Sequence, residues 1–318
     1  MSWSRLFRLL VAFGLTAFVL YKSHPTEILR AGAGADLRWI AAAVALVLVD
    51  RTLMAYRWLV LLCVLTPGTR PPFGAILRIF FVSTFVGTFL PSVGGDVYRA
   101  YSLARLQVRG VESAATVLMD RILGVLSILL VGAIALGFAR DLSLDAWGYL
   151  TLAGAALFCV VAALLVFSER ADAVAQWAVA RLPSTPVRRL SSGLLDAVRR
   201  YARYHVEMVN VLACSIGVQI IRVLQAYCLG RSLGVDTSLP IYFVLIPPIL
   251  LIMLLPITVN GLGTSQAAFP LLFGQVGVAA APAVALSILF VALGIVGNLP
   301  GGLLYAVGPS ARPDARTS

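Results

Sequence analysis

Apolar runs of this sequence are interrupted by Leu90-Pro91-Ser92-Val93-Gly94-Gly95-Asp96 and by Leu255-Pro256-Ile257-Thr258-Val259-Asn260-Gly261-Leu262-Gly263. Proline lacks a backbone donor and glycine loosens the chain, so each stretch predicts a break between two helices. Lipid cannot form hydrogen bonds with the free amide and carbonyl groups of a non-helical backbone. Such a backbone is tolerated at membrane depth only where protein or a polar cavity surrounds it. Paired breaks in the two halves of a membrane protein indicate a transport site near the bilayer midplane.

The composition is that of a membrane protein. Of the 318 residues, 60% are hydrophobic and 12% are charged, and the mean hydropathy is +0.94. Soluble domains carry about 25% charged residues, so a soluble protein is excluded. The net charge of +11 comes from 24 Arg and one Lys that lie between apolar runs. We interpret it as a signal for orientation and anionic lipid rather than for nucleic acid. The four cysteines are scattered without metal-ligand spacing and imply neither disulfides nor a zinc site.

We predict an all-α polytopic protein with one membrane domain over residues 1–318. At about 20 apolar residues per crossing, full transmembrane helices are expected near 6–22, 38–63, 113–139, 147–167, 208–230 and 282–307. The first run follows Arg5 and Arg8 and is also compatible with a secretory signal peptide. An uncleaved first span fits a chain that stays in the membrane throughout.

The long polar connection at residues 168–207 is rich in arginine, which predicts a cytoplasmic location. Within it, Leu190, Leu194, Leu195 and Val198 recur at helical spacing. They predict an amphipathic helix on the inner leaflet, and a solvated basic connector is the alternative. This orientation puts both termini, including the tail at 309–318, in the cytoplasm. We expect the protein to lie in the plasma membrane or the inner membrane of the cell.

With that orientation, residues 72–107 begin and end on the cytoplasmic side, and residues 240–277 begin and end outside. Each segment is therefore predicted to be a re-entrant helical hairpin, and the two would insert from opposite faces as an inverted repeat. The alternative is a full crossing by residues 72–90, because this stretch alone is nearly long enough to span the bilayer.

After each break the helix is expected to resume at a glycine, Gly95 in the first and Gly263 in the second. Helix N-termini carry unpaired amides and partial positive charge, which suit a phosphate or carboxylate. With Arg99 and Arg57 they would bind an anionic lipid headgroup while its tails stay in hydrocarbon. The structural alternative is that Asp96 caps its helix and Arg99 extends to the interface.

Charged residues inside predicted spans need partners, because each costs several kcal/mol at the bilayer centre. Arg222 lies mid-span with no acidic residue within a turn. We expect its partner to be Asp120 or a lipid headgroup, with a purely structural interhelical ion pair as the competing explanation. Asp120 and Arg121 are adjacent and point about 100° apart on a helix, so they should not neutralise one another fully.

The motifs Phe89–Arg99, Asp120-Arg121-Ile122-Leu123-Gly124 and Leu255–Gly263 resemble those of the lysylphosphatidylglycerol synthase transmembrane-region family, also called flippase-like domain proteins. The resemblance extends over nearly the whole chain. In the multiple peptide resistance factors, this membrane module is joined to an aminoacyl-transferase domain and moves aminoacylated phosphatidylglycerol to the outer leaflet. Other relatives accompany glycolipid, polyprenyl-phosphate or hopanoid pathways.

Two departures from the family pattern narrow what the resemblance implies. After the second break the family commonly has Arg-Glu, whereas this chain has Ser265-Gln266. A neutral Gln266 cannot pair with a cationic lysyl group, which argues against an aminoacylated lipid. The chain also leaves no room after the membrane module for an aminoacyl-transferase domain. We therefore expect a stand-alone member that does not synthesise the lipid it handles.

We expect the protein to flip or scramble an anionic phospholipid or polyprenyl-phosphate lipid, without catalysis and without a cofactor or metal. The sequence has 14 acidic residues and two histidines, no nucleophilic arrangement and no nucleotide-binding motif. The alternative is a non-transporting accessory subunit of a lipid-linked glycan or lipid-modifying enzyme, which would then be its partner. The expected substrate-binding residues are Arg57, Pro91, Gly94, Gly95, Asp96, Arg99, Asp120, Arg121, Arg222, Pro256, Asn260, Gly261, Gly263 and Gln266.

Overall fold

A computed structural model describes residues 34–66, 68, 71–88, 94–104, 108–138, 185–254 and 263–307. All regular structure in these ranges is helical. In chain order the helices are α1 (Leu37–Leu65), α2 (Phe73–Gly87), α3 (Gly94–Ala104), α4 (Gly110–Phe138), α5 (Thr185–Ala202), α6 (His205–Ser232), α7 (Leu239–Leu254), α8 (Thr264–Gly274) and α9 (Ala280–Val307).

Four of these helices, α1, α4, α6 and α9, are long and apolar enough to cross a membrane. They coincide with the spans predicted at 38–63, 113–139, 208–230 and 282–307. The spans predicted at 6–22 and 147–167 lie outside the described residues, as does the tail at 309–318. The described part of this membrane protein is thus all-helical and has several helices that can cross the bilayer, and the total of six spans stays a prediction.

Short helices flank both predicted breaks. The helices α2 and α3 lie on either side of the first break, and α7 and α8 lie on either side of the second. The break residues 89–93 and 255–262 are themselves outside the described ranges. The paired short helices agree with two interrupted segments, and their re-entry from opposite membrane faces stays a prediction.

The helices form two units of the same design. The helices α1 to α4 have 29, 15, 11 and 29 residues, and α6 to α9 have 28, 16, 11 and 28. The two units interlock, because α1 packs along α6, α2 packs on α9 and α7 packs on α4. The first short helix of each unit thus lies against the last long helix of the other, as expected for an internal two-fold repeat.

Glycines allow the short helices to approach their partners closely. A Cβ on Gly301 of α9 would clash with the carbonyl oxygen of Phe81 in α2, and one on Gly95 would lie 2.7 Å from that of Ser83. The sequence leaves open whether small residues such as Gly132 and Gly297 serve contacts within or between chains. Both face neighbours in the same chain, Pro247 and Val47 respectively.

The main core lies among α1, α6, α7, α8 and α9, around the buried rings of Tyr242, Phe269 and Phe273. A second cluster joins α5 to α1, α4 and α6. In it the hydroxyl of Tyr201 donates a 3.0 Å hydrogen bond to the carbonyl of Leu61, and burial raises the pKa of that phenol. The connector predicted at 168–207 therefore contains a helix that is docked on the protein over its C-terminal half.

Candidate functional site

A buried ionic network connects five helices. Nε and Nη2 of Arg57 in α1 lie 2.8 and 2.6 Å from Oδ1 of Asp120 in α4. Nη1 of Arg57 donates to the hydroxyl of Ser215 in α6 at 3.0 Å. On the other side of Asp120, Oδ2 lies 3.5 Å from Nη1 of Arg99 in α3, whose Nε donates to Ser83 in α2 at 3.4 Å. We call these five residues the Arg57 network.

Aromatic rings shield Arg99 from the surroundings. Its guanidinium carbon lies 5.0 Å from the ring centre of Trp58 and 4.7 Å from that of Phe80, which are cation–π distances. The guanidinium is thereby held by one carboxylate and two ring faces. The arginine does not extend to the interface, so the snorkelling alternative for Arg99 is wrong.

The adjacent pair Asp120 and Arg121 behaves as predicted, since the two side chains take different partners. Nη2 of Arg121 lies 2.7 Å from Oδ2 of Asp96 in the first turn of α3. This second pair is more open, because 48% of the Arg121 side chain is exposed. Asp96 therefore links α3 to α4 at the edge of the Arg57 network.

A second charged group lies at the middle of α1. Oδ2 of Asp50 lies 3.0 Å from Nη1 of Arg51, and Oδ1 lies 3.4 Å from Nε of Arg222 in α6. Arg51 also donates to Oδ1 of Asn298 in α9 at 3.0 Å, and Nδ2 of Asn298 donates to Thr88 at 2.8 Å. We call Asp50, Arg51, Arg222 and Asn298 the central cluster.

The central cluster corrects the prediction for Arg222. Its acidic partner is Asp50 rather than Asp120, because Asp120 is already held between Arg57 and Arg99. Arg99 and Arg222 were both expected to bind the substrate, and the structure places them in separate groups. The sequence shows Asp50 in the predicted span, but it does not show which of two buried aspartates an arginine on another helix meets.

A cavity of about 190 Å³ opens at the central cluster. Its polar wall consists of Asp50, Arg51, Arg222, Gln225 and Asn298. The apolar wall comes from α1, α7 and α9 and includes Val47, Leu250, Met253, Phe290, Val291 and Ile295. Arg51 is the fifteenth of the 29 residues of α1, so the cavity lies at the midpoint of that helix.

The other predicted site residues divide into those at helix starts and those outside the described ranges. The helix α3 begins at Gly94, one residue before the predicted Gly95, and α8 begins directly after the predicted Gly263. The side-chain oxygen of Gln266 accepts a hydrogen bond from the backbone N–H of Gly263, so this glutamine caps its own helix. Pro91, Pro256, Asn260 and Gly261 lie outside the described residues.

Residues absent from the predicted site include Asp50, Arg51, Gln225, Asn298, Ser83 and Ser215. The adjacent charges of Asp50 and Arg51 in an apolar run were a usable signal, whereas a serine or glutamine in such a run is ordinary. In the described ranges no three His, Cys, Asp or Glu side chains come together that could hold a metal ion.

Comparison with known proteins gives one family. The family model described as Lysylphosphatidylglycerol synthase TM region matches residues 5–301. Both charged groups and both sets of short helices fall inside the matched region. Among curated proteins, none matches the sequence significantly.

Proposed function

Since the chain belongs to the lysylphosphatidylglycerol synthase transmembrane-region family, we propose that it moves an anionic lipid between the two membrane leaflets. The family supports a membrane function related to lipids. The finer proposal, that the lipid is anionic and is moved between leaflets, is supported by the charged groups inside the helical region. Cations held at membrane depth without enough acidic partners are suited to a negatively charged headgroup.

The observation that carries the proposal is the cavity at the central cluster. It holds two arginines and one aspartate, so its ionisable groups carry a net charge of +1. Burial of an uncompensated cation is costly, and an anion entering the cavity would remove that cost. An apolar wall beside the charged one fits an amphiphile better than it fits a free ion.

The Arg57 network forms a second polar group on the same helix, and its five side chains are buried. Arg57 lies six residues after Arg51 in α1, which at 1.5 Å per residue is about 9 Å along the axis. Like the central cluster, the Arg57 network contains two arginines and one aspartate. Between the groups, Gln219 of α6 donates to Ser127 of α4 at 3.1 Å. A headgroup moving past α1 would meet the two groups in succession once the short helices that bury the second group moved apart, while its tails remained in lipid.

In this mechanism the aspartates position the arginines rather than bind the substrate. Asp120 holds Arg57 and Arg99, and Asp50 holds Arg51 and Arg222. Rocking of the short helices beside the two breaks would alternate access to the polar surface. We propose that the chain transports lipid without catalysis. We further propose that the headgroup is anionic rather than lysyl, because Gln266 is neutral and is occupied as a helix cap.

Leaflet exchange in liposomes tests the proposal. Purified protein is reconstituted with trace fluorescent phosphatidylglycerol, lysyl-phosphatidylglycerol, a polyprenyl phosphate or diacylglycerol, and exchange of each lipid is measured by quenching of the outer leaflet. We expect protein-dependent exchange of phosphatidylglycerol or the polyprenyl phosphate, and slower exchange of the lysyl lipid. Absence of exchange for every charged lipid, from protein shown to be folded, would contradict transport and favour an accessory role.

A further inference from the structure

The two units of the fold carry different chemistry at corresponding positions. Arg57 is the twenty-first residue of α1, and Gln225 is the twenty-first of α6. Asp120 and Phe290 are each the eleventh residue of the last long helix of their unit. The arginine–aspartate pair of the first unit is thus replaced by glutamine and phenylalanine in the second.

A pair of matching hydrogen bonds supports this correspondence. Arg51, the fifteenth residue of α1, donates to the carbonyl of Gly294, the fifteenth residue of α9, at 3.5 Å. Gln219, the fifteenth residue of α6, donates to the carbonyl of Gly124, the fifteenth residue of α4, also at 3.5 Å. The two contacts are related by exchange of the units, so the alignment of helices is geometric as well as numerical.

Arg99, the third member of the ion-pair group in the first unit, also has an uncharged counterpart in the second unit. Arg99 is the sixth residue of α3 and faces Asp120, and Phe269 is the sixth residue of α8 and faces Phe290 with ring centres 5.6 Å apart. In the first unit a carboxylate fills the space between two cations. In the second unit the corresponding acidic residue is absent, and Gln225 and Phe290 line the cavity at the central cluster.

The cavity also contains donors that lack good acceptors. Nε2 of Gln225 has no hydrogen-bond partner among the described residues, and the residue is only 4% exposed. Nη2 of Arg222 lies 3.3 Å from the sulfur of Met54, and a thioether is a weak acceptor. The Asp50 oxygen nearest to Arg222 is 3.4 Å away and makes no hydrogen bond within the described part of the chain. A buried donor like that of Gln225 is ordinarily satisfied.

We propose that the cavity binds the phosphate group of an anionic lipid, whose oxygens accept the donors that the second unit leaves without a carboxylate. Arg222 and Gln225 donate to the phosphate, and Arg51 is held behind them by Asp50 and Asn298. The acyl chains leave past Leu250, Met253 and Phe290 on the apolar wall. This inference rests on the proposed function, because it names the part of the lipid that the transport surface recognises.

Gln225→Glu gives the sharpest test, since it supplies a carboxylate of nearly the same shape where the phosphate would bind. The variant should be more heat-stable than the wild type without ligand, because the new carboxylate pairs with Arg222 one turn away. It should bind dihexanoyl phosphatidylglycerol at least tenfold more weakly, as expected when a charge-assisted contact is replaced by repulsion. Both quantities are measured in dodecyl maltoside, which contributes no phosphate.

Two further variants control for charge and for folding. Asn210→Asp makes the same chemical change on the exposed side of α6, where Asn210 contacts Tyr56, and should leave binding unchanged. Gln225→Met removes the amide while keeping a chain of similar length, and should weaken binding severalfold without the gain in stability. If Gln225→Glu bound phosphatidylglycerol as tightly as the wild type, the cavity proposal would be overturned.

The source of the phosphate is tested with two more ligands on wild-type protein. Dihexanoylglycerol, which lacks phosphate, should bind at least tenfold more weakly than dihexanoyl phosphatidylglycerol. Inorganic phosphate binding as tightly as the phospholipid would overturn the lipid source and indicate a free anion. Equal binding of dihexanoylglycerol and the phospholipid would overturn recognition of phosphate.

Leaflet exchange on the same preparations separates this inference from the proposed function. Exchange by the wild type, together with equal binding by the wild type and Gln225→Glu, would overturn the cavity site and leave transport standing. Selective binding that Gln225→Glu abolishes, without exchange by the wild type, would overturn transport and leave the phosphate site standing.

Discussion

Asp120 is the residue on which the Arg57 network depends, because its two oxygens face two buried arginines. Asp120→Asn removes the negative charge and leaves Arg57 and Arg99 uncompensated. We expect a loss of about 3–5 kcal/mol in the free energy of unfolding, the usual result of breaking a buried ion pair. Denaturant unfolding of the purified protein, followed by far-UV circular dichroism, measures this loss.

Asp96→Asn is the matched control for that prediction. It makes the same chemical change in the pair with Arg121, which is half exposed. Exposed ion pairs contribute about 0–1 kcal/mol, so this variant should unfold close to the wild type. Equal destabilisation by the two variants would show that burial does not set the importance of these aspartates.

At the scale of helices, Gly301 controls how closely α9 approaches α2. Gly301→Ala would place a methyl group in steric clash with the carbonyl oxygen of Phe81, so the helices must separate. We expect lower thermal stability and slower lipid exchange, because α2 also carries Ser83 of the Arg57 network.

Gly137→Ala in α4 is the control, since a Cβ there has no neighbour within 4 Å among the residues that the structure describes. Alanine is favoured over glycine in a helix by roughly 0.5–1 kcal/mol. This variant should therefore be as stable as the wild type or more stable. If Gly301→Ala matched it in a thermal unfolding scan, the close approach of α2 and α9 would not be required.

The sequence predicted the elements better than it predicted their contacts. Apolar length located α1, α4, α6 and α9, and the Pro–Gly stretches located the short helices beside the breaks. Glycine at the start of α3 and α8 was also predictable, because turns between helices select it. The partner of Arg222 was not, since the choice between Asp50 and Asp120 depends on how four helices rotate about their axes. The cavity was not predictable for the same reason.

At the scale of the whole molecule, the repeat makes a prediction about membrane sidedness. In a cysteine-free background, cysteines replacing Phe73 and Arg109 lie at the two ends of the first interrupted segment, and both positions are exposed. If that segment re-enters, a membrane-impermeant maleimide should label both from the cytoplasmic side only. Labelling of the two positions from opposite sides would contradict a re-entrant hairpin.

Asp236→Cys, tested in the same cysteine-free background, gives the corresponding control on the opposite face. Asp236 follows α6 in a loop, and 87% of its side chain is exposed. The predicted orientation puts this loop outside, so intact cells should be labelled there. Protection of this position in intact cells, with labelling only after permeabilisation, would reverse the predicted orientation.

The central claim is that arginines inside the helical region neutralise the negative charge of a lipid headgroup during transport. Arg222→Leu tests this claim most directly. The variant should fold, because Asp50 keeps Arg51 as a partner at 3.0 Å. The decisive measurement is the rate at which fluorescent phosphatidylglycerol exchanges between leaflets of liposomes containing either protein. We predict that exchange falls to the rate of protein-free liposomes in the variant. Exchange at the wild-type rate would contradict the account.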